Sequence, residues 1–383
     1  MIPLWKIKRE AQRVKEVVSA WTANLYEPLL TKRHDRWRRN QSQPSNQGVS
    51  QTDKIAIFLI YQPHGVAASV LVTLRWLIAH GYAPLVVANT PLSAADQKRL
   101  APVTWRIFQR PNFGYDFGGY RDGILLLDAW GIFPKRVLIL NDSVWMPTDN
   151  NSTLIERLEA NGADIVGGIQ HSDSTRRSGA VRRGHLESYL YLVNEAAWQT
   201  TAFRSFWQSY PASNKRLNAV YRGERRFTYV MQDANLAVGS LFTKQIFLDQ
   251  LARQDDQFLR RTLKYASYVE TELRGESLYL LAQDPASAGW RDMALDHIRR
   301  TCERRRFNAC FVLPALNLLG MDFIKKSPGS TGDGGASLHS RMRHQLLRAA
   351  TAGDLPHLEP EMLQEITALE KCELKKFEGN KSA

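Results

Sequence analysis

Cysteines, long apolar runs and acidic residues are all scarce in this sequence, and each shortage excludes a class of protein. Only three of the 383 residues are cysteines, and Cys302, Cys310 and Cys372 suit neither a paired zinc site nor a disulfide framework. No stretch approaches the roughly 18 consecutive apolar residues that predict a membrane-spanning helix. The first residues interleave charged and apolar side chains, unlike a secretion signal. We therefore expect a protein of a reducing compartment that is cytoplasmic and either soluble or peripheral to a membrane.

Acidic residues are outnumbered, with 38 Asp and Glu against 51 Lys and Arg, a formal net charge of +13. Such an excess favours an anionic partner: nucleic acid, an anionic membrane surface or a phosphorylated substrate. The arginine clusters are not interleaved with the aromatic residues of a stacking platform, and no recognition motif is present. We therefore do not expect nucleic acid as the partner.

Residues 1–40 predict a basic amphipathic helix. Apolar residues recur there at alternating spacings of four and three, namely Ile7, Ala11, Val14, Val18, Trp21 and Leu25. Basic residues flank this seam, which is typical of a helix that binds an anionic membrane surface. Docking on the chain's own domain, or pairing with another subunit, would need the same seam. A polar stretch at 41–54 predicts a linker.

From residue 55 onward, apolar strands alternate with helices. The pattern predicts strands at 55–61, 83–89, 103–110, 136–140 and 164–169, with helices at 66–80, 93–100, 116–130 and 151–160. This alternation is typical of an α/β fold with a mostly parallel, Rossmann-like sheet flanked by helices. The alternation stops at a polar stretch, 171–184, which has the length of a functional loop. Mixed, mainly helical patterns follow, then a second linker at 328–337 and a helical tail at 338–383.

Small polar residues end the fourth predicted strand. Asn141, Asp142 and Ser143 follow the apolar run directly, and open α/β sheets bind ligands outside the carboxyl ends of their strands. A carboxylate beside a hydroxyl and an amide suits Mg²⁺ or Mn²⁺ bridging to phosphate oxygens. We predict Asp142 as the metal ligand of a nucleotide site, with the other two orienting it or contacting ribose and phosphate. A turn that only caps the following segment is the structural alternative.

Two other strand ends belong to the same predicted edge. Tyr61 and Gln62 follow the first strand and Asn89 ends the second, so we expect all three beside the nucleotide. Stacking of Tyr61 on a base and a place for it in the core are both compatible with the pattern.

The segment at 111–123, PNFGYDFGGYRDG, places four glycines at the mouth and in the first turns of a helix: Gly114, Gly118, Gly119 and Gly123. Glycine inside a helix costs about 1 kcal/mol relative to Ala. The missing side chains therefore serve either a close ligand or tight packing of the helix on the sheet. Asn112 and Asp116 are predicted to contact base or ribose. Arg121 would pair with the donor phosphates, or with Asp116 or Asp122 as a structural ion pair.

Several motifs of this chain occur together in one known family. The pattern N-x-G-x-D-x-G-x-x-x-x-G at 112–123 is followed by ILNDSV at 139–144, and then by HLESYL, FRSFW, QDANLA and the segment at 308–325. Together they resemble the rhamnan synthesis F family of bacterial polysaccharide glycosyltransferases over residues 55–327. The resemblance implies a GT-A-like domain with a nucleotide-binding half at 55–170 and an acceptor-binding half at 171–327. It also implies transfer of a sugar, typically rhamnose, from a nucleotide diphosphate donor to a cell-surface polysaccharide such as lipopolysaccharide O-antigen, or to a lipid-linked glycan.

The resemblance further suggests catalytic roles. Asp233 stands where family members commonly have a Glu before a helix, and we predict it as the base for the acceptor hydroxyl. A capping or first-turn aspartate is the structural alternative. Glu187 is the rival base, His185 is predicted to face the acceptor or the metal, and Lys325 to approach the diphosphate. A basic loop would clasp an anionic acceptor or remain solvated: Arg176, Arg177, Arg182 and Arg183.

A second class of function stays open. Because Asp233 replaces the Glu of the family, the chain would also fit a non-catalytic partner protein in a polysaccharide assembly complex. Turnover of sugar nucleotides would separate the two hypotheses.

Overall fold

The computed structural model describes residues 4–175, 181–326 and 337–379. The chain forms two compact units, one of Met1–Asp142 with Ile155–Leu241 and one of Ser143–Leu154 with Phe242–Ala383. The predicted basic helix is part of the first unit. The predicted acceptor-binding half is divided between the two units.

Strands form where the apolar runs predict them, and also in places where they do not. In chain order they are β1 Lys54–Ile60, β2 Ala83–Ala88, β3 Arg106–Gln109, β4 Arg136–Asn141, β5 Val144–Trp145, β6 Ile165–His171, β7 Ser174–Thr175, β8 Val181–Arg182, β9 His185–Leu186, β10 Leu190–Asn194, β11 Val238–Phe242 and β12 Ile324–Lys325. The five predicted strands correspond to β1, β2, β3, β4 and β6. The other strands lie in short or partly polar segments for which the pattern predicts no strand.

The helices account for most of the remaining described chain. They are α1 Leu4–Arg39, α2 Ala68–Ala79, α3 Ala94–Leu100, α4 Tyr115–Ala129, α5 Leu154–Ala160, α6 Glu195–Gln199, α7 Thr201–Ser209, α8 Arg216–Ala219, α9 Arg226–Asp233, α10 Lys244–Ala252, α11 Asp256–Lys264, α12 Thr271–Ala282, α13 Trp290–Arg304, α14 Phe307–Cys310, α15 Val312–Leu319, α16 Leu338–Thr351 and α17 Pro360–Gly379. A 3₁₀ turn at Ala101–Val103 follows α3, and a π-helix at Val220–Arg225 joins α8 to α9. Ser93 caps α3 as predicted, because its hydroxyl accepts from the Asp96 amide.

The main sheet has the order β11-β6-β10-β4-β1-β2-β3, with β9 paired to β6. β1 runs parallel to β2 and β4, and β2 runs parallel to β3. β10 lies antiparallel between β4 and β6. The predicted α/β class, with a mostly parallel sheet flanked by helices, is confirmed.

Helix α4 packs on this sheet at glycine distance. A Cβ on Gly119 would lie 2.3 Å from a methyl carbon of Leu59 on β1, and a Cβ on Gly123 would lie 2.6 Å from Ile57. Real Cβ contacts are essentially never that short, so a side chain there would require Leu59, Ile57 or the helix itself to shift. The packing explanation therefore accounts for these two glycines, and tight packing fixes where the start of α4 lies.

Helix α1 docks on the same unit through one face. Ala23 is fully buried, and the buried carboxylate of Glu27 accepts from Ser213 and, at 2.8 Å, from Arg222. The opposite face is exposed: Trp21 is 69% and Leu25 75% exposed, together with Val14, Val18 and Leu29. Docking on the chain's own domain, one of the alternatives above, thus uses the polar face, and the predicted apolar seam from Ala11 to Leu25 points to solvent.

Part of the predicted linker at 41–54 is bound to the first unit. The amides of Gln47, Gly48 and Val49 donate to carbonyls of Trp105, Ala101 and Thr104, at 2.8–3.0 Å. These hydrogen bonds attach the segment after α1 to the residues that precede strand β3.

The second unit is built mainly from helices. Phe247 of α10 stacks on Phe307 at 5.0 Å between ring centroids, around a core that includes Trp290. β12 pairs antiparallel with β5 in this unit. Within the described residues, no helix combines the length and the apolar character needed to cross a membrane.

Candidate active site

The carboxyl ends of β1 and β4 carry a hydrogen-bonded set of polar side chains. The carboxylate of Asp142 accepts from the backbone amide of Tyr61 at 2.7 Å and from the side-chain amide of Gln62 at 2.6 Å. These contacts follow from topology, since β1 and β4 are parallel neighbours whose ends meet at one edge. Asp142 is half-buried at that edge and Tyr61 is 51% exposed. The predicted meeting of these strand ends is thus present.

Asn141 connects this edge to helix α4. Its side-chain amide donates to Asp116 at 3.0 Å and to the hydroxyl of Tyr120 at 2.8 Å. Asn141 therefore orients Asp116, in the first turn of α4. We call Tyr61, Gln62, Asp116, Asn141 and Asp142 the polar edge cluster.

Two His–Glu pairs lie beyond Tyr120 in the same unit. The Tyr120 hydroxyl donates to the carbonyl of Ser188 at 2.8 Å, next to Glu187. The 3%-exposed carboxylate of Glu187 lies 2.8 Å from Nε2 of His171, at the end of β6. His185 on β9 lies 3.2 Å from Glu224 of the π-helix, and the two imidazole rings are 5.0 Å apart.

Carboxylates near the polar edge cluster and the His–Glu pairs affect the pKa values of two buried tyrosines, Tyr120 and Tyr191. Burial raises the pKa of Tyr191 well above its ordinary value, and the carboxylates of Glu224, Glu187 and Asp116 raise it further. Burial likewise raises the pKa of Tyr120, with Asp116 as the next contributor. Asp116 of the polar edge cluster thus contributes to the raised pKa of both phenols. Both tyrosines stay neutral there as hydrogen-bonding groups.

The other residues predicted to contact the nucleotide, Asn89, Gly114 and Asn112, have three different environments. Asn89 is buried and its carbonyl oxygen accepts from Arg110. Gly114 has a φ of +84°, in the left-handed region that favours glycine, and its amide donates to Asn214 at 2.8 Å. Asn112 is exposed in the turn before α4.

Arg121 occupies a structural position. Its guanidinium is buried, forms a two-pronged ion pair with Asp35 of α1, and donates to the carbonyls of Trp207 and Gln208 at 2.9 and 3.0 Å. The predicted structural ion pair therefore forms, but with Asp35 rather than Asp116 or Asp122. We remove Arg121 from the proposed donor contacts.

The position of Asp233 differs from both expectations. It is the last residue of α9, so the predicted capping or first-turn position is wrong. Its side chain is 64% exposed and pairs with Arg183 at 2.8 Å. A carboxylate at a helix C-terminus opposes the helix dipole, and the arginine offsets that effect.

Ser143 and Lys325 make their contact within the second unit. The ammonium group of Lys325 donates to the Ser143 hydroxyl at 2.7 Å, and the amide of Lys326 donates to the Ser143 carbonyl at 2.8 Å. Of the predicted basic loop, Arg176 and Arg177 lie outside the described residues, whereas Arg183 packs over the Tyr229 ring at 4.9 Å. The role of this loop stays a prediction.

The polar edge cluster could hold a divalent cation only if phosphate oxygens of a bound substrate supplied most of the cation's ligands. Mg²⁺ is usually bound through one or two protein carboxylates plus substrate phosphates, and Asp142 offers a half-buried carboxylate at the strand end. Among the residues that the structure describes, the set of three ligating side chains within 4.8 Å is Asp149, His357 and Glu359, in the second unit. None of the predicted site residues belongs to that set.

Sequence reasoning missed His171 and Glu224. His171 falls in what the pattern marks as a polar loop, although it ends strand β6. Glu224 lies in a π-helix, whose backbone spacing no apolar periodicity indicates. A histidine two residues beyond a buried apolar run was the available signal for His171, whereas the sequence offers no such signal for Glu224.

Comparison with known proteins finds a family match over just under half of the chain. Residues 85–268 match the model of the family described as rhamnan synthesis protein F. The predicted resemblance is confirmed. A curated relative, the uncharacterized protein y4gN of Sinorhizobium fredii (strain NBRC 101917 / NGR234), is 33% identical over 211 residues. The alignment covers 55% of this chain and 54% of that protein, so the chain spans about half the length of the curated relative that it matches.

Solved structures give weaker likenesses. The mannosyltransferase PcManGT from Pyrobaculum calidifontis, in complex with GDP-Man and Mn²⁺, has a TM-score of 0.31 and 11% identity, covering 95% of this chain and 93% of its own. The mannosyltransferase Ktr4p from S. cerevisiae has a TM-score of 0.29 and 9% identity, covering 52% of this chain and 72% of its own. At these scores the likenesses do not bear on what this chain binds.

Proposed function

We propose that this protein is a glycosyltransferase that moves a sugar, with rhamnose as the first candidate, from a nucleotide diphosphate donor to a growing cell-surface polysaccharide or lipid-linked glycan. The observation that carries the proposal is the polar edge cluster. It places a half-buried carboxylate, Asp142, at the strand ends where α/β sheets bind nucleotides. The family match over residues 85–268 supports the same chemistry.

The donor site is proposed at the polar edge cluster. Tyr61, whose backbone amide donates to Asp142, is exposed, and its ring offers a face on which a base can stack. Asp116, oriented by Asn141, is positioned to accept from a ribose hydroxyl. When bound, Mg²⁺ or Mn²⁺ would neutralise charge that develops on the leaving diphosphate. Asp142 is the residue that would hold it.

Glu187 is the better of the two proposed bases. It is buried beside His171 and is joined to the polar edge cluster through Ser188 and Tyr120. In the proposed mechanism its carboxylate accepts the proton of the acceptor hydroxyl, and the neighbouring imidazole stabilises the charged form. Asp233 is exposed and paired with Arg183, so it is the weaker candidate.

We also propose that α1 holds the enzyme at an anionic membrane surface on the cytoplasmic side, where partner enzymes of polysaccharide assembly would work. Its exposed apolar stripe, defined as Val14, Val18, Trp21, Leu25 and Leu29, is followed on the same side by exposed basic residues, Lys32, Arg36 and Arg39. An apolar face with basic residues at its end suits the boundary between headgroups and acyl chains.

The test is turnover of a panel of UDP-, dTDP- and GDP-sugars with Mg²⁺ or Mn²⁺. We expect hydrolysis or transfer from one nucleotide class, lowered by about a hundredfold or more in Glu187→Gln and much less in Asp233→Asn. The reverse order would restore Asp233 as the base.

Binding without turnover would favour the non-catalytic alternative. If a sugar nucleotide binds the wild-type chain but no donor in the panel is consumed, the chain is a partner protein and the transferase proposal fails.

A further inference from the structure

A cavity of about 600 Å³ opens beside the polar edge cluster, between α1 and the segment that contains α8 and the π-helix. It lies wholly within the first unit and belongs to neither the proposed donor site nor the predicted basic loop. Its volume is typical of small-molecule sites. Tyr115 lines it, and Tyr115 directly precedes Asp116 of the polar edge cluster.

The cavity combines cations with exposed aromatic rings. Basic side chains around it are Lys15, Lys215, Arg216 and Arg225. Within the described part of the chain, none of these four lies in ion-pair contact with a carboxylate. Tyr115 is 46% and Tyr221 63% exposed, so both rings are available to a ligand. Glu16 also lines the cavity, so among the described lining residues four basic side chains stand against one acidic side chain. This excess of positive charge favours an anion, and flat aromatic faces favour a ring packed against them.

The backbone around the cavity departs from regular geometry at both tyrosines. Tyr115 has a φ of +51°, directly after Gly114 at +84°, and a bulky residue rarely adopts that conformation. Tyr221 and Arg225 lie in the π-helix, a form found mostly at functional sites. Strained backbone persists where the surroundings impose it, and it is concentrated at ligand sites.

The cavity wall is held in place. Arg222 donates to the buried carboxylate of Glu27 on α1 at 2.8 Å, and Asn218 donates to the Ala20 carbonyl at 2.8 Å. The same π-helix contributes Glu224 to His185. A ligand in the cavity would therefore touch the segment that also contacts the His–Glu pairs.

We propose that this cavity binds the phosphate-linked end of the glycan acceptor, with Lys215, Arg216 and Arg225 on the diphosphate and the two tyrosines against the adjoining sugar. This inference rests on the proposed function and names its acceptor class. Val14 and Val18 of the exposed apolar stripe neighbour Lys15 along α1, so a lipid tail leaving the cavity would meet an apolar surface. A free diphosphate lacks both the sugar and the tail.

The experiment is calorimetric titration of the protein, residues 1–383, with a synthetic decyl-diphosphate-linked hexose. We expect the double variant Lys215→Gln/Arg216→Gln to weaken binding about tenfold or more, because two charged hydrogen-bond donors are lost. Tyr221→Ala should also weaken it. The control Arg226→Gln removes an exposed neighbouring charge outside the cavity and should stay within about twofold of wild type.

Three results would overturn the inference. In the first, the double variant and Tyr221→Ala bind the probe as tightly as wild type does. In the second, inorganic pyrophosphate binds as tightly as the probe, which indicates a plain anion site. In the third, the double variant loses binding to probe-free anionic vesicles, which indicates a headgroup site. Thermal unfolding of each variant, matched to Arg226→Gln, identifies folding defects.

Sugar-nucleotide titration separates this inference from the proposed function. We expect the double variant to bind the donor like wild type. If the probe binds as expected while no sugar nucleotide binds or is consumed, the transferase proposal fails and the glycan site stands.

Discussion

Helix α4 places two aspartates, less than two turns apart, in opposite settings. Asp116 is half-buried in the polar edge cluster and accepts from Asn141. Asp122 is fully buried and is contacted by Arg110 and His34, each at 2.6 Å, with Arg38 at 3.6 Å. The residue type and the motif are the same, so burial and partners alone separate a proposed ligand contact from a structural charge. One end of the helix serves the proposed chemistry and the other holds the fold together.

The buried end should be the more sensitive to substitution. Asp122→Asn leaves Arg110 and Arg38 without their carboxylate in the interior, and we expect the free energy of unfolding to fall by about 3–5 kcal/mol. Urea unfolding measures this. Asp53→Asn is the control, because it breaks an exposed ion pair with Lys135 and should change stability little. Equal effects of the two substitutions would remove the contrast between buried and exposed carboxylates.

A tightly packed glycine of α4 and an exposed glycine of α12 should respond oppositely to substitution by Ala. Gly119→Ala inserts a methyl group against Leu59, and we expect destabilisation of about 1–3 kcal/mol. Gly275→Ala in α12 meets no atom within 4 Å, and we expect stabilisation of up to about 1 kcal/mol. Thermal unfolding of the pair reports the sign directly. Stabilisation by both would show that α4 does not pack on β1 at glycine distance.

The pH dependence sharpens the comparison further. Burial opposes ionisation of Asp122, yet Arg110, His34 and Arg38 hold its pKa below the ordinary value of 3.8. A lowered folded-state pKa gives stability that is present above the unfolded-state value and is lost as the pH falls through the folded-state value. Wild type should therefore lose stability steeply below about pH 4, and Asp122→Asn less steeply. Parallel curves from denaturant titrations at each pH would contradict this.

The outer face of α1 should affect stability least. His34, Asp35 and Arg38 of the inner face contact α4, whereas the exposed apolar stripe contacts solvent. Val18→Ser/Trp21→Ser/Leu25→Ser should shift the free energy of unfolding by less than about 1 kcal/mol, since exposed side chains contribute little. Its binding to anionic vesicles, measured by co-sedimentation, should fall clearly. Unchanged binding would remove the stripe as the proposed anchor.

Deleting residues 1–40 would not test the anchor. The deletion also removes Asp35, which pairs with Arg121, and His34 and Arg38, which contact Asp122, so loss of vesicle binding would be confounded with loss of fold.

The sequence predicts this fold as far as local patterns reach. Long apolar runs identify β1, β2 and β4, and the rule that parallel strand ends meet places Asp142 beside Tyr61 and Gln62 correctly. The sequence does not predict β10, because a five-residue strand that lies antiparallel between β4 and β6 depends on tertiary pairing. The Arg121–Asp35 pair joins residues 86 positions apart, and no spacing rule reaches that far. The family motif predicts Asp233 before a helix, whereas helix α9 ends at that residue.

The central claim is that Asp142 holds a cation against the diphosphate of a sugar nucleotide, and direct binding tests it best. Calorimetric titration with UDP-, dTDP- and GDP-sugars, with Mn²⁺ and then with excess chelator, compares wild type, Asp142→Asn and Asp53→Asn. Asp53 precedes β1 at the opposite edge of the same sheet, so its variant controls for loss of one carboxylate. We predict Mn²⁺-dependent binding by wild type and Asp53→Asn, and loss of that dependence in Asp142→Asn. Equal, Mn²⁺-dependent affinity in all three proteins would contradict the claim.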